Sequence, residues 1–250
     1  MFKKGRTMTV YAIYAHGALH WDSDAAHWFA AADVRVAVDG GARALLRRGL
    51  RPDVALGDWD SLTPAELERL RQMDVAVHTF PTDKDATDLE LALLHAAEHG
   101  AREMHVFGAL GGRWDQTAAN LLLLAHPCLR TRRVVLHDGG QRLWLIRGRD
   151  QIAGAVGDLV SFVPLGGPAR GVTLRGVAYP LENRALPWAG TRGVSNRFVA
   201  PHVDVHVREG MLLAIHIPRS VHRQVEDAKR ETTLGQEDVS NTNLVSGGAA

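Results

Sequence analysis

A single cysteine, Cys128, stands in 250 residues. That scarcity excludes an intramolecular disulfide and any cysteine-cluster zinc site, and it points to a reduced, cytoplasmic setting. Long apolar runs are missing too: Leu121–Ala125 is far too short to span a bilayer. Charge of one sign is also lacking. A formal net charge of +1 gives no electrostatic case for nucleic acid or an acidic membrane surface. No G-x-x-x-x-G-K-S/T loop is present, and no G-x-G-x-x-G follows the first apolar strand. Phosphate handling would therefore rest on metal-bound carboxylates, basic side chains and glycine-loop amides. The start, Met1 to Arg6, sets three basic residues before an apolar run, as signal peptides do. Val10–Ala15 is short, however, holds two tyrosines and leads into His16-Gly17. A first strand is the better reading, with Met8 as the start of the fold.

What is present is ordinary for a soluble globular chain, at 46% hydrophobic and 23% charged residues. Up to about residue 137, strand and helix patterns alternate. Val10–Ala15, Val34–Val38, the Val54 run, Val75–Phe80, Met104–Phe107 and Val134–Leu136 read as strands. Between them, Ser23–Ala32 reads as a helix capped by Asp22 or Ser23, and a short helix passes through Leu45 and Leu46. Thr63-Pro64 opens another, with proline at its first position. Asp85–His99 and Trp114–Ala125 complete the set. Strands separated by helices predict a parallel sheet covered on both faces, with ligands outside the carboxyl ends of the strands. After about residue 138 short alternating runs broken by Gly and Pro predict a small all-β unit. The fold class expected is α/β: an N-terminal Rossmann-like, doubly wound, mainly parallel sheet over residues 8–137, and a C-terminal all-β sandwich or barrel over 138–218. Residues 219–250 are polar and read as a frayed tail.

Chemistry concentrates at the strand ends. Gly57-Asp58-Trp59-Asp60-Ser61 follows an apolar strand. An extended chain would put Asp58 and Asp60 on one face, where two carboxylates repel unless a cation such as Mg²⁺ sits between them. A polar turn is the alternative. Downstream lies Thr82-Asp83-Lys84-Asp85-Ala86-Thr87-Asp88. A cap at Thr82 or Asp83 would set Asp85 and Asp88 one helical turn apart, able to share that cation, with Lys84 on a phosphate. Simple compensation of the helix dipole is the alternative here. The third signal is Gly108-Ala109-Leu110-Gly111-Gly112-Arg113-Trp114-Asp115-Gln116, a glycine loop leading into a helix whose N-terminus suits an anion, with Arg113 as a fork for phosphate oxygens. Asp39-Gly40-Gly41 is a weaker relative of it, able to receive a ribose or adenine or only to turn the chain. His202, Asp204 and His206 alternate as metal ligands could, but also as the solvated face of a strand does.

Taken in order, Asp39-Gly40-Gly41-Ala42, Gly57-Asp58-Trp59-Asp60-Ser61, Lys84-Asp85-Ala86-Thr87-Asp88, Gly111-Gly112-Arg113-Trp114-Asp115-Gln116 and Gly193-Val194-Ser195-Asn196 resemble the motifs of thiamine pyrophosphokinases. The resemblance spans about residues 8 to 218. It implies transfer of the pyrophosphoryl group of ATP to the hydroxyl of thiamine, releasing AMP, with Mg²⁺, in a homodimer whose active sites lie between subunits. It implies catalytic and metal roles for Asp58, Asp60, Asp85 and Asp88. Asp39, Lys84, Arg113, Asp115 and Gln116 would handle the nucleotide or its phosphates, and Ser195 and Asn196 would hydrogen-bond the vitamin. The hydroxyl proton would pass to Asp88 or Asp85. Phe198 is the aromatic expected against the thiazolium charge, with an ordinary core phenylalanine as the alternative. Trp59 stands where the family usually has Phe, and Gln116 where many bacterial members have His; glutamine cannot titrate, so no general base sits there. Within the same chemistry a pterin-alcohol pyrophosphokinase is the alternative; from other classes, a metal-dependent nucleotide phosphohydrolase or a non-catalytic thiamine or nucleotide sensor.

Overall fold

A computed structural model describes residues 9–17 and 19–223. The expected start at Met8 and the tail from residue 224 lie outside the described residues. Among the described residues, no helix is long and apolar enough to cross a membrane.

Six parallel strands form the centre of the molecule: β1 (Thr9–Tyr14), β2 (Val34–Val38), β3 (Val54–Gly57), β4 (Ala76–Thr79), β5 (Ala101–Phe107) and β6 (Arg133–Asp138), in the order β6-β5-β1-β2-β3-β4. Parallel strands need crossovers, and the crossover helices cover both faces. Alternation along β1 shows it: Tyr11 and Ile13 pack with α4 (Asp88–Glu98) and the partly buried leucines of α5 (Trp114–Leu123), while Val10, Ala12 and Tyr14 pack with α1 (Ser23–Ala31), α2 (Gly40–Leu46) and α3 (Pro64–Gln72). Local signals set the helix starts. Asp22 caps α1 by accepting from the Ala25 N–H, and Thr63 and Glu66 form a capping box ahead of Pro64 in α3.

Strand order reverses at β1, which lies between β2 and β5. The chain ends of β1 and β5 must diverge there, which opens a crevice at their carboxyl ends.

The composition change near residue 138 falls on a tight hairpin. Gly139 and Gly140, at φ 53 and 81, turn β6 antiparallel into β7 (Gln141–Ile146). The sheet then continues through β14 (Leu212–Ile217) and β9 (Leu159–Pro164) to β12 (Asn196–Arg197), ten strands in all. A separate antiparallel sheet joins β11 (Leu181–Leu186), β10 (Ala169–Arg175), β13 (His202–His206) and β8 (Arg149–Ala153). Phe162, Val172, Val203 and Leu212, drawn from both sheets, share one core. Residues 219–223 are helical where the sequence suggests the tail begins. The buried Asp158 explains the difference, since its Oδ1 accepts the Arg219 backbone N–H at 2.8 Å.

Candidate active site

A cleft of about 730 Å³ opens at the carboxyl ends of β1 to β5. Its acidic wall comes from the turns after β2 and β3. The strand stops at Gly57, so Asp58 and Asp60 do not share a face by extended-chain alternation, as the sequence suggests. They meet because Trp59 turns the chain through a left-handed conformation, φ 67. For a bulky residue that is costly. It is held by burial of the ring and by an indole N–H donated to Thr79 Oγ1 at 2.9 Å. The Asp60 N–H then donates to Asp58 Oδ1 at 3.2 Å. Gly57 brings in the third acid, because a Cβ there would lie 3.1 Å from Asp39 Cα. Carboxylate oxygens of Asp39, Asp58 and Asp60 all fall within 4.8 Å of one another.

Asp39 is fixed by Ser61 Oγ, which donates to its Oδ1 at 2.7 Å, and by His16 Nδ1, 3.4 Å from its Oδ2. Sequence reading set Asp39 on the nucleotide; its carboxylate stands with the other acids. Trans oxygens around Mg²⁺ lie about 4.2 Å apart and cis ones closer, so the trio could close on one such ion by small side-chain shifts.

Lys84 crosses to these acids from the next junction. Its Nζ lies 3.2 Å from Asp58 Oδ2 and 3.1 Å from Asp88 Oδ1. Burial pushes the Asp58 carboxyl up, but the Asp60 N–H and the Lys84 ammonium outweigh it and hold the group below its ordinary value. Burial alone would lower Lys84, and the two carboxylates instead raise it. For Asp88 burial wins over Lys84, and its carboxyl is pushed above the usual range. The helix α4 begins at Asp88, with Thr87 as N-cap accepting from the Glu90 N–H at 3.2 Å. The cap expected at Thr82 or Asp83 is therefore not used, and Asp85 and Asp88 are not one helical turn apart. Asp85 is exposed and does not line the cleft, whereas Lys84, Thr87 and Asp88 do. Four carboxylates (Asp39, Asp58, Asp60, Asp88) against one ammonium leave a formal charge of −3, so a polyphosphate would need a bridging cation to enter.

The opposite wall is the glycine loop. Gly108 accepts from the Gly17 N–H at 2.9 Å. A Cβ on Gly108 would meet the Ala15 carbonyl at 2.7 Å, so only glycine lets the ends of β1 and β5 close up here. Gly111, Gly112, Arg113 and Gln116 line the cleft. Arg113 pairs with Asp115 at the rim, both largely exposed, which leaves the guanidinium free to exchange that partner for phosphate. Sequence reading missed Asn120. It is buried one turn after Gln116, lines the same cleft, and donates Nδ2 to the Ala109 carbonyl at 2.6 Å, fixing the loop from beneath. A polar residue on the apolar side of a helix was the available signal.

The second group of candidates lies elsewhere. Asn196 is buried, and its amide grips one backbone residue at both ends: Oδ1 accepts the Tyr179 N–H at 3.0 Å and Nδ2 donates to the Tyr179 carbonyl at 2.9 Å. The side chain is thereby committed within the fold. Ser195 adopts φ 58, and its N–H donates to Ser161 Oγ at 3.0 Å. Phe198 corrects the expectation made for it. It is 0% exposed, packed in the core with its ring 5.3 Å from that of His216, so no ligand can stack on it. The aromatic that Asn196 holds in place, Tyr179, is 72% exposed. His202, Asp204 and His206 do not group as metal ligands among the described residues; Asp204 instead accepts from Gln151. From β5, at the cleft, to β12 the sheet order counts five strand spacings, or about 24 Å.

Known proteins match both halves. The family model for the thiamin pyrophosphokinase catalytic domain matches residues 25–137, and that for the thiamin pyrophosphokinase vitamin B1 binding domain matches residues 149–212. The chain is similar to a thiamine pyrophosphokinase of Bacillus subtilis, 31% identical over 182 residues, covering 72% of this chain and 85% of that one. Thiamine pyrophosphokinase 3 of Oryza sativa is 29% identical over 190 residues, covering 66% and 71%. Among solved structures, the B. subtilis enzyme superposes with a TM-score of 0.76 at 27% identity, covering 84% of this chain and all of that one. The enzyme of Geobacillus thermodenitrificans gives 0.73 at 30% identity, covering 85% and 99%. With both halves matched in order, and with the acidic cleft and the Asn196 clamp in those halves, the chain belongs to the thiamine pyrophosphokinase family.

Proposed function

We propose that this protein transfers the pyrophosphoryl group of ATP to the hydroxyl of thiamine, giving thiamine diphosphate and AMP. The observation that carries the reading is the carboxylate trio facing a glycine loop across the crevice at the sheet's reversal point. Asp39, Asp58 and Asp60 would hold Mg²⁺, which supplies charge neutralisation on the transferring phosphates. Glycine-loop amides and Arg113 bind phosphate oxygens; Lys84 keeps Asp58 and Asp88 in place and faces the same space. Asp88, which lines the cleft as Asp85 does not, accepts the hydroxyl proton. Positioning and electrostatics are most of what phosphoryl-type transfer asks of a protein. On this reading residues up to 137 are a Rossmann-like nucleotide unit, and 138–218 a β-sandwich that binds the vitamin.

The two units serve one reaction only if a second copy completes each site, because about 24 Å of sheet separates the cleft from the β12 edge within one chain. Val156, Tyr179, Val194 and Val199 are exposed around that edge, which suits a self-association surface. We therefore place the active site between the subunits of a homodimer, the Tyr179 edge of one copy facing the acidic cleft of the other.

Supplied with ATP, Mg²⁺ and thiamine, the protein should form AMP one-for-one with thiamine diphosphate. Formation of ADP, or nucleotide cleavage that ignores thiamine, would refute the assignment. Tyr179→Ala should raise KM for thiamine about tenfold, near 1.4 kcal/mol, the scale of a desolvated cation–π contact. KM for ATP should not move. An unchanged thiamine KM would return the search for the aromatic partner to other exposed rings.

A further inference from the structure

The turn that gathers the acids is strained, and a residue outside the cleft holds it. Trp59 adopts φ 67, where a bulky side chain crowds its own backbone. A glycine or asparagine would turn the chain there at less cost. The carboxylates of Asp39, Asp58 and Asp60, so close together, also repel one another when no cation is present. Left to itself, the turn would relax to another backbone shape and let the acids drift apart.

Several contacts oppose that. The Phe80 N–H donates to the Gly57 carbonyl at 3.0 Å, and the Leu62 N–H to the Trp59 carbonyl at 3.1 Å. Ser61 Oγ holds Asp39 from the same turn. The Trp59 ring shares a core with Leu62, Leu70 and Val75. Burial alone gives that ring no polar anchor. The bond from its Nε1 to Thr79 Oγ1, at 2.9 Å, supplies one. A phenylalanine would fill the same core but has no N–H to donate.

Thr79 is well placed for this. It ends β4, the edge strand of the sheet, and pairs in register with Gly57. It is exposed, so it carries little of the core. Five residues further on, Lys84 reaches Asp58. The segment leaving β4 therefore holds the acidic turn twice, once by the ring of Trp59 and once by the carboxylate of Asp58. Only the second contact is made in the cleft, which neither Trp59 nor Thr79 lines.

We infer that Thr79 is a positioning residue for the cation site: by accepting the Trp59 indole N–H, it holds the left-handed turn in which Asp58 and Asp60 converge with Asp39. The inference rests on the reading of that trio as the Mg²⁺ site, and adds a residue that touches neither cation nor substrate. Loss of its hydroxyl should weaken the cation site and leave the fold standing.

Mn²⁺ titrated into the purified full chain, and followed by loss of the free ion's electron paramagnetic resonance signal, reads that site without turnover. Wild-type protein should bind the ion, and Asp60→Asn should bind it more weakly. Thr79→Val keeps the shape of threonine and removes the acceptor. It should raise the Mn²⁺ dissociation constant about fivefold, the equivalent of one ordinary hydrogen bond. Thr79→Ser, which keeps the hydroxyl, should bind as the wild type does. Trp59→Phe combined with Thr79→Val should be no weaker than Thr79→Val alone, because both changes remove the same bond. In turnover, Thr79→Val should raise the Mg²⁺ requirement and leave KM for thiamine unmoved, a split that general loosening of the fold would not give. Thr79→Val with Mn²⁺ affinity within about twofold of wild type, or equal losses in Thr79→Val and Thr79→Ser, would overturn the inference while the metal reading stands. Mn²⁺ binding that Asp60→Asn leaves unchanged would overturn both.

Discussion

Asp60→Asn should lower kcat by about a thousandfold, equal to roughly 4 kcal/mol of transition-state stabilisation, while Tm shifts by less than about 2 °C. The size follows from the charge balance of the cleft. Asp60 is the exposed member of the trio with Asp39 and Asp58, so its carboxylate is open to solvent cations and its replacement disturbs the fold little. Asparagine keeps the shape and an oxygen, but removes the charge that draws a divalent cation to a polyphosphate. The weakened cation site should appear separately, as a higher Mg²⁺ requirement for the remaining turnover. Asp58→Asn is a poorer test, since it also strips Lys84 of a partner at 3.2 Å. The informative control is Asp85→Asn. Asp85 is exposed, does not line the cleft and, unlike Asp60, joins no cluster of acids among the described residues, so turnover should change by less than about threefold, within the range of ordinary surface substitutions. Large loss at both Asp60 and Asp85 would reinstate the metal set that the sequence motifs imply, and activity kept at Asp60 would refute its metal role.

That contrast marks where the sequence stops being informative. Periodicity and caps are local, and they are legible: Asp22, Thr63-Pro64 and the Val34–Val38 run produce α1, α3 and β2 as their residues suggest. The start of α4 was not legible, because Thr82, Asp83 and Thr87 are all competent caps. A long-range contact accompanies the choice. Lys84 is drawn across to Asp58, twenty-six positions away, and the segment before Thr87 stays a loop to let it reach. Asp39 was assigned to the nucleotide because no local rule shows that Gly57 lets its backbone approach. Phe198 fails for a similar reason. An aromatic beside Ser195-Asn196 looks exposed in one dimension, yet the short strand β12 turns Phe198 into the core, and the exposed ring beside Asn196 is that of Tyr179, seventeen positions before it. The junction of the two halves is likewise non-local. A run of short β segments says nothing about which strands they pair with, so the ten-stranded sheet crossing residue 138 appears only in three dimensions.

Two inactive variants should restore each other. Asp60→Asn disables the acidic cleft; Tyr179→Arg sets a like charge against the permanent cation of thiamine at an exposed position, which should cut kcat/KM for thiamine at least about a hundredfold without unfolding the chain. In the proposed homodimer each alone breaks both sites. If a site takes its cleft from one subunit and its Tyr179 edge from the other, a heterodimer of the two variants has one site with both defects and one with neither. Heterodimers isolated by two different affinity tags should then show about half the wild-type turnover, with a wild-type KM for thiamine. A site contained within one chain predicts the opposite, since every subunit carries one defect and no pairing removes it. The five strand spacings from β5 to β12 favour the first outcome, because neither loop at the cleft nor the Val177–Val199 region can cross about 24 Å of paired sheet. A monomer in light scattering, or heterodimers as inactive as their parents, would show that the vitamin reaches the phosphates by another route.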